Sequence, residues 1–278
     1  ALLYLDPPFY AEGSSDFRPI WDKVPKEQAL DYFCWDLYAR FQTEVERRLH
    51  LQEKREEVLH KIEGGNHPIS VFAKELATRI VRTHLETVAQ LSIFYDLLNW
   101  ESDIIRRGFW EATFELLKER GALRLETEGP FGGLVETEEG TKSLDKILVR
   151  SNGSVTYTGK DVAYQLWKFG LLGKDFLYET WGLQANGEML WTTAPEGQPA
   201  DRLPHRFGNA DRVINVIDTR QSYPQQVVME CLRQAGFEKE AAQSVHLAYE
   251  VVNLSPRAAQ ILGVEEKEDK KSFAMSGR

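Results

Sequence analysis

Tyr157 and Asp161, four residues apart in Tyr157-Thr158-Gly159-Lys160-Asp161, are the pair in this chain best suited to hold a cation. Upstream, residues 147–151 and 154–157 are β-rich runs joined by Asn152-Gly153, a dipeptide that accepts the positive φ angles of a tight hairpin turn. Downstream, Val162, Leu166 and Phe169 recur at helical spacing as far as Gly170. The pattern predicts Tyr157 at a strand exit and Asp161 in the first turn of a helix, where the helix dipole favours an ionised carboxylate. A phenol and a carboxylate on one strand-to-helix corner suit a cationic ligand with several N–H donors. The plainer alternative is an Asp capping the helix beside a core Tyr.

Further candidates lie at predicted sheet edges. Asp218-Thr219-Arg220-Gln221 directly follows the strand-like run of residues 212–217, and ligands of open α/β sheets bind beyond the carboxyl ends of strands. The Gln221 amide can both donate and accept there. His246 opens the next predicted strand, residues 246–252, and is placed to face the same edge. The closing segment Ser272-Phe273-Ala274-Met275-Ser276-Gly277-Arg278 is small and polar, and Ser276 and Arg278 suit a mobile phosphate clamp. Other chemistries lack their patterns. Gly129-Pro130-Phe131-Gly132-Gly133 has the wrong spacing for a phosphate loop, and Gly64-Gly65 separates His60 from His67 too far for a helical metal pair. Ser151 and Ser276 have no nucleophile-elbow context.

The elements that must carry these residues change character along the chain. From residue 26 to 62 an apolar stripe of Leu30, Phe33, Leu37, Phe41, Val45 and Leu49 predicts helix, with Pro25 before it and Gly64-Gly65 after it. Two more helices are predicted after Pro68, carrying Val71, Leu76, Ile80 and Leu85, and over 101–120, carrying Ile105, Phe109, Ala112 and Leu116. This half reads as helical hairpins. Beyond it, strands alternate with helices over 224–235 and 239–244, which implies a mainly parallel sheet. Residues 182–209 read as a loop-rich excursion, and 265–271 as a charged loop.

The 278 residues carry a formal net charge of −9, which argues against a nucleic-acid grip spread over the whole surface while leaving room for a local basic patch. Cys34 and Cys231 lie far apart without metal-ligand spacing, so a reduced, cytosolic compartment is the default. No apolar run reaches membrane-spanning length. The first and last residues, Ala1 and Arg278, suggest a sequence cut from something longer.

Tyr-x-x-x-Asp after a hairpin, Gln after a strand, then His, then Met-Ser-x-Arg, in this order, resemble the catalytic domain of class I aminoacyl-tRNA synthetases, and specifically the arginyl-tRNA synthetases. Tyr95-Asp96-Leu97-Leu98-Asn99-Trp100-Glu101-Ser102, Asp145 to Gly153, and Thr156 to Tyr164 strengthen the likeness, which runs from about Leu76 onward. The resemblance implies an arginine–tRNA ligase with ATP, accompanied by Mg2+, as co-substrate, and arginine and its tRNA as partners. It implies that Tyr157, Asp161 and Gln221 bind arginine. His246, Met275 and Ser276 would line the ATP site, with Ser276, Arg278 and His246 acting on the reacting phosphates. The implied fold is α/β: the second half of a Rossmann-like parallel-sheet domain over 144–278, preceded over 1–143 by a largely helical insertion suited to the tRNA acceptor end.

Two departures qualify that expectation. Ala274 and Gly277 stand where the related Lys-Met-Ser-Lys-Ser loop has lysines, although Lys270 and Lys271 are near in sequence. No His-x-Gly-His occurs, so the half of the fold that carries it is expected before Ala1, an anticodon-binding helical domain after Arg278, and the isolated chain is expected to be inactive. The alternative is a synthetase-derived binding module without catalysis that holds RNA or protein.

Overall fold

The computed structural model describes residues 14–123, 131–132, 148–150, 155–204, 206–250, 252–263 and 273–274. Its contacts divide the chain into two compact units, with the break between Phe94 and Tyr95. Among its described residues the first unit holds four helices: α1 (Arg18–Trp21), α2 (Leu30–Arg47), α3 (Leu49–Gly64) and α4 (Pro68–Ala89). Ile20, Leu37, Phe41, Val45, Leu51, Ile69 and Phe72 form its core, and the Phe17 and Phe72 rings stack at 4.7 Å. The single helix expected over 26–62 is two helices. Arg48 adopts extended angles (φ −130°, ψ 99°) and resets the helical phase, so Leu49 is 77% exposed and Leu51 takes the core position. A similar shift in α4 turns Val71 outward and Phe72 inward. Cys34 is half-buried beside this core.

The second unit begins with β1 (Leu97–Leu98), α5 (Glu101–Arg106) and α6 (Phe109–Glu119). Gly108, at φ +64°, separates the two helices where one continuous helix over 101–120 was expected. Both pack against α7 (Tyr157–Lys168). Between them, β2 (Phe131–Gly132) pairs antiparallel with β3 (Val149–Arg150), and Val149 bridges Val155. The Asn152-Gly153 turn and the 265–271 charge run lie outside the described residues.

The expected loop-rich excursion contains a hairpin. β4 (Leu177–Leu183) runs antiparallel to β5 (Met189–Ala194), which in turn pairs in parallel with β1. With β6 (Gln198–Pro199) they form a four-stranded sheet in the order β1-β5-β4-β6. The turn spans Gln184–Gly187, closed by the Gly187 N–H on the Gln184 carbonyl at 2.9 Å, and its last residue Gly187 has φ +85°. The last part is the anticipated α/β arrangement. β7 (Val213–Asp218) pairs in parallel with β8 (Ser244–Tyr249), connected through α8 (Ser222–Gln234) and α9 (Glu238–Ala242), and α10 (Pro256–Ile261) follows.

The core of this unit is the inward side of α7, where Val162, Ala163 and Leu166 are fully buried among Phe109, Leu117, Leu148, Phe176, Val227, Cys231 and Leu232. The free thiol of Cys231 is wholly enclosed, and burial pushes its pKa up to about 12. α7 enters this core closely. A β-carbon on Gly159 would lie 2.8 Å from the Leu148 carbonyl oxygen and 3.1 Å from the Trp110 ring. Glycine therefore permits a contact that any side chain would prevent.

The two faces of the β7–β8 pair differ sharply. Val213, Asn215 and Ile217 alternate on β7 with Ile214 and Val216, which are 56% and 62% exposed. In register on β8, Ser244 and His246 alternate with Val245, Leu247 and Tyr249, each more than a third exposed. Both faces of β7 are thus largely apolar, and the inward face alone adds the polar Asn215, Ser244 and His246.

Candidate functional site

Thr156, not Asp161, caps α7: its Oγ1 accepts from the Gly159 N–H at 3.2 Å and donates to the Leu148 carbonyl at 3.1 Å. The helix begins at Tyr157, so Asp161 stands in its second turn rather than its first, and Tyr157 is a helix residue rather than a strand exit. The dipole argument for an ionised Asp161 therefore falls away, because its effect is confined to the first turn. The alternative of a capping Asp beside a core Tyr falls with it, since Tyr157 is 73% exposed. What remains is a phenol and a carboxylate one turn apart on the same helix.

Asp161 keeps a solvent-accessible edge while protein crowds its carboxyl, and this crowding is the main cause of a pKa raised to about 6. Lys168 then lowers it, Glu101 raises it and Lys160 lowers it. Among the described residues no hydrogen-bond or ion-pair partner contacts the Asp161 carboxylate. The adjacent Lys160 is committed elsewhere: its Nζ donates to Glu101 Oε1 at 2.8 Å and lies 5.4 Å over the Tyr157 ring.

A polar network extends along the same helix to the sheet. Lys168 Nζ donates to Asn215 Oδ1 at 2.8 Å and sits 4.4 Å over the Tyr164 ring. Asn215 Nδ2 donates to Gln225 Oε1 at 2.9 Å and to Gln165 Oε1 at 3.3 Å, and Gln165 Nε2 donates to Ser244 Oγ at 2.9 Å. Tyr164 donates its phenol hydrogen to Asn99 Oδ1 at 2.7 Å, and burial pushes its pKa well above the usual phenol range. The Asn99 Nδ2 donor is buried without a partner. Lys168 is desolvated enough that its pKa falls to about 8, with Asp161 acting in the opposite direction. None of Lys168, Tyr164, Gln165, Asn215, Gln225 or Asn99 was singled out from sequence. The available signal was spacing: Tyr164 and Lys168 follow Asp161 at three and seven residues, one side of a helix.

The other expected site residues are reached to different degrees. Gln221 ends a 3-10 turn beyond the carboxyl end of β7 and is exposed. Asp218 caps that turn through the Arg220 N–H at 2.8 Å and binds the Arg220 guanidinium, which holds its carboxyl down at about 2. His246 does not open its strand. It is the third residue of β8, opposite Asn215, and its Nε2 lies 3.0 Å from the Ile217 carbonyl oxygen. That bond gives the ring a structural partner on the inward sheet face. Met275, Ser276 and Arg278 lie outside the described residues. Among the described residues no cluster of three or more His, Cys, Asp or Glu is arranged to hold a metal ion, and no helix is long and apolar enough to cross a membrane.

No protein-family model matches the chain. Individual relatives do. The chain is 37% identical over 234 residues to an arginine–tRNA ligase of Thermococcus sibiricus, a match covering 82% of this chain and 36% of the relative. It is 35% identical over 247 residues to that of Deinococcus radiodurans, covering 87% of this chain and 38% of the relative. Among solved structures, Thermus thermophilus arginyl-tRNA synthetase aligns with a TM-score of 0.69 at 33% identity, over 86% of this chain and 39% of that one. The α/β fold with parallel strand pairs and the relatives agree on a class, the aminoacyl-tRNA synthetases. Within it, the matched residues belong to the arginyl-tRNA synthetase family. The chain spans little more than a third of the length of these relatives.

Proposed function

We propose that this chain supplies the amino-acid-selecting part of an arginine–tRNA ligase, with Asp161 receiving the substrate guanidinium. The observation that carries the reading is the state of Asp161: a crowded carboxylate with no direct partner among the described residues and a phenol one turn away. A guanidinium offers five N–H donors in a planar fork and would satisfy both carboxylate oxygens, which a lysine ammonium or a neutral ureido group cannot do equally well. The Tyr157 phenol oxygen would accept from the same guanidinium, and Gln221 would meet it from the carboxyl end of β7.

In the full reaction the arginine carboxylate attacks the α-phosphate of ATP and pyrophosphate leaves. The arginyl group then passes to the terminal ribose of its tRNA. No covalent enzyme intermediate is needed, so positioning and charge stabilisation carry the catalysis. Magnesium would enter with the phosphates as part of the substrate. The roles of Met275, Ser276 and Arg278 at those phosphates, and of His246 beside them, rest on the family likeness alone. So do tRNA contact by the helical first unit and a cytosolic setting.

The test is Asp161→Asn in the full-length protein, assayed by arginine-dependent ATP–pyrophosphate exchange with tRNA present. Losing the ionic part of the contact removes on the order of 1.5–3 kcal/mol, so the arginine KM should rise roughly 10-fold to 100-fold with ATP affinity nearly unchanged. Unchanged arginine kinetics would sink the assignment.

A further inference from the structure

The arginine reading leaves Lys168 without a role, although its setting is unusual for an ammonium. Both of its contacts are neutral: the Asn215 amide oxygen at 2.8 Å and the face of Tyr164 at 4.4 Å. Half-buried lysines are ordinarily paired with a carboxylate. The one acting on Lys168 is Asp161, two turns earlier on α7, and among the described residues the two do not form a direct ion pair. The network fixes the lysine head in place, since Asn215 is itself bound to Gln165 and Gln225.

We propose that Lys168 is the resident counter-cation of the Asp161 site and releases a proton when a guanidinium docks there. The proposal rests on the arginine reading above. The step balances simply: one Nζ–H bond breaks, the proton passes to solvent, and the neutral amine keeps N–H bonds with which to donate to Asn215. Two cations in the field of one carboxylate repel, and the one able to shed its charge is the lysine, because a guanidinium is not deprotonated in proteins.

The groups around the pair leave little else to titrate. Lys160 and Lys168 share α7 with Asp161, and Glu101 comes from α5, already bound to Lys160. α7 itself adds the Tyr164 phenol, which donates to Asn99; α8 adds the neutral Gln225 and β7 the neutral Asn215. From β8 come Ser244 and His246, the latter engaged with the Ile217 carbonyl. Lys168 already sits near a pKa of about 8 before any ligand arrives, within reach of a modest further push.

The experiment is calorimetric titration of arginine into the full-length protein at pH 7.5, in two buffers of different ionisation enthalpy, which counts protons exchanged on binding. The wild type should release roughly half a proton more than Lys168→Met, a difference that cancels the titration of arginine's own amino group. Its arginine Kd should tighten by several-fold between pH 7 and 8.5, while that of Lys168→Met should be flat over the same range. Lys168→Arg keeps a charge it cannot shed, so it should bind arginine roughly tenfold more weakly and release no extra proton. Should Lys168→Met fail to fold, the wild-type proton count and Lys168→Arg still decide. Equal proton release and parallel pH profiles in wild type and the Lys168 variants, with binding lost in Asp161→Asn, would overturn the role of Lys168 alone. Arginine binding that survives Asp161→Asn unchanged would overturn the arginine reading and this proposal together.

Discussion

The two faces of the β7–β8 pair invert the usual order of a half-exposed sheet. The inward face sets Asn215, Ser244 and His246 beside the apolar Val213 and Ile217, and the outward face carries Ile214, Val216, Val245, Leu247 and Tyr249. Inward polarity is tolerated because each group is bonded: Asn215 to Lys168, Gln165 and Gln225, Ser244 to Gln165 and to the Glu240 carbonyl, His246 to the Ile217 carbonyl. Outward apolarity follows from the strand type, since parallel strands are normally buried on both faces and read as continuous β-branched runs. The polar part of the inward face belongs to a network that ends at Lys168. The outward face keeps the composition of a core.

The sharpest way to break this contrast is Asn215→Leu, which removes the hub of the inward polar network. It would strand the Lys168 ammonium and the Gln165 and Gln225 amide oxygens at once. The expected loss is about 2–4 kcal/mol of stability, read as a fall in the urea midpoint of unfolding. A loss under about 0.5 kcal/mol would mean that the network is replaceable by packing.

The next effect is in pH dependence. Asp161 titrates at about 6 in the folded chain against an ordinary 3.8, so the folded state holds its proton longer and stability should fall as pH rises from about 4 to about 6. Lys168 titrates at about 8 against an ordinary 10.5, so the folded state loses its proton first and stability should rise as pH increases from about 8 to about 10.5. Urea midpoints across pH should show each slope flattening in Asp161→Asn and in Lys168→Met respectively. The smallest effect belongs to the outward face. Leu247 is 55% exposed beside Val216, so Leu247→Lys should move stability by no more than about 0.5 kcal/mol, while light scattering should show less self-association.

How far the sequence revealed this arrangement depends on which residues carried the signal. The β-branched run from Val213 to Ile217 and the glycine stop at Gly170 marked β7 and the end of α7 to within a residue or so, because periodicity and backbone freedom are local properties. The breaks at Arg48 and Gly108 went unread, since charged and apolar helix formers surround both and the change of direction is set by packing. The sequence offers Asp161 as a candidate cation site for a reason that the structure corrects. It lies past the reach of the helix dipole, and its raised pKa comes from crowding that only the tertiary fold creates. The partners of Lys168 were invisible for a related reason. Asn215, Gln165 and Gln225 look like surface residues in a linear reading, and only strand pairing and helix packing turn them inward.

Each compact unit carries one free thiol in its described residues, and the two are protected to different depths. Cys231 is sealed beneath α8, whereas Cys34 is only half-covered among the helices of the first unit. A thiol reagent therefore meets the two regions on separate clocks: Cys34 through local breathing of a small helical core, Cys231 only when the core around α7 and α8 opens. Mass spectrometry of the modified chain would time the two openings in one sample without a single substitution, and arginine added to the full-length protein should slow the second clock while leaving the first unchanged.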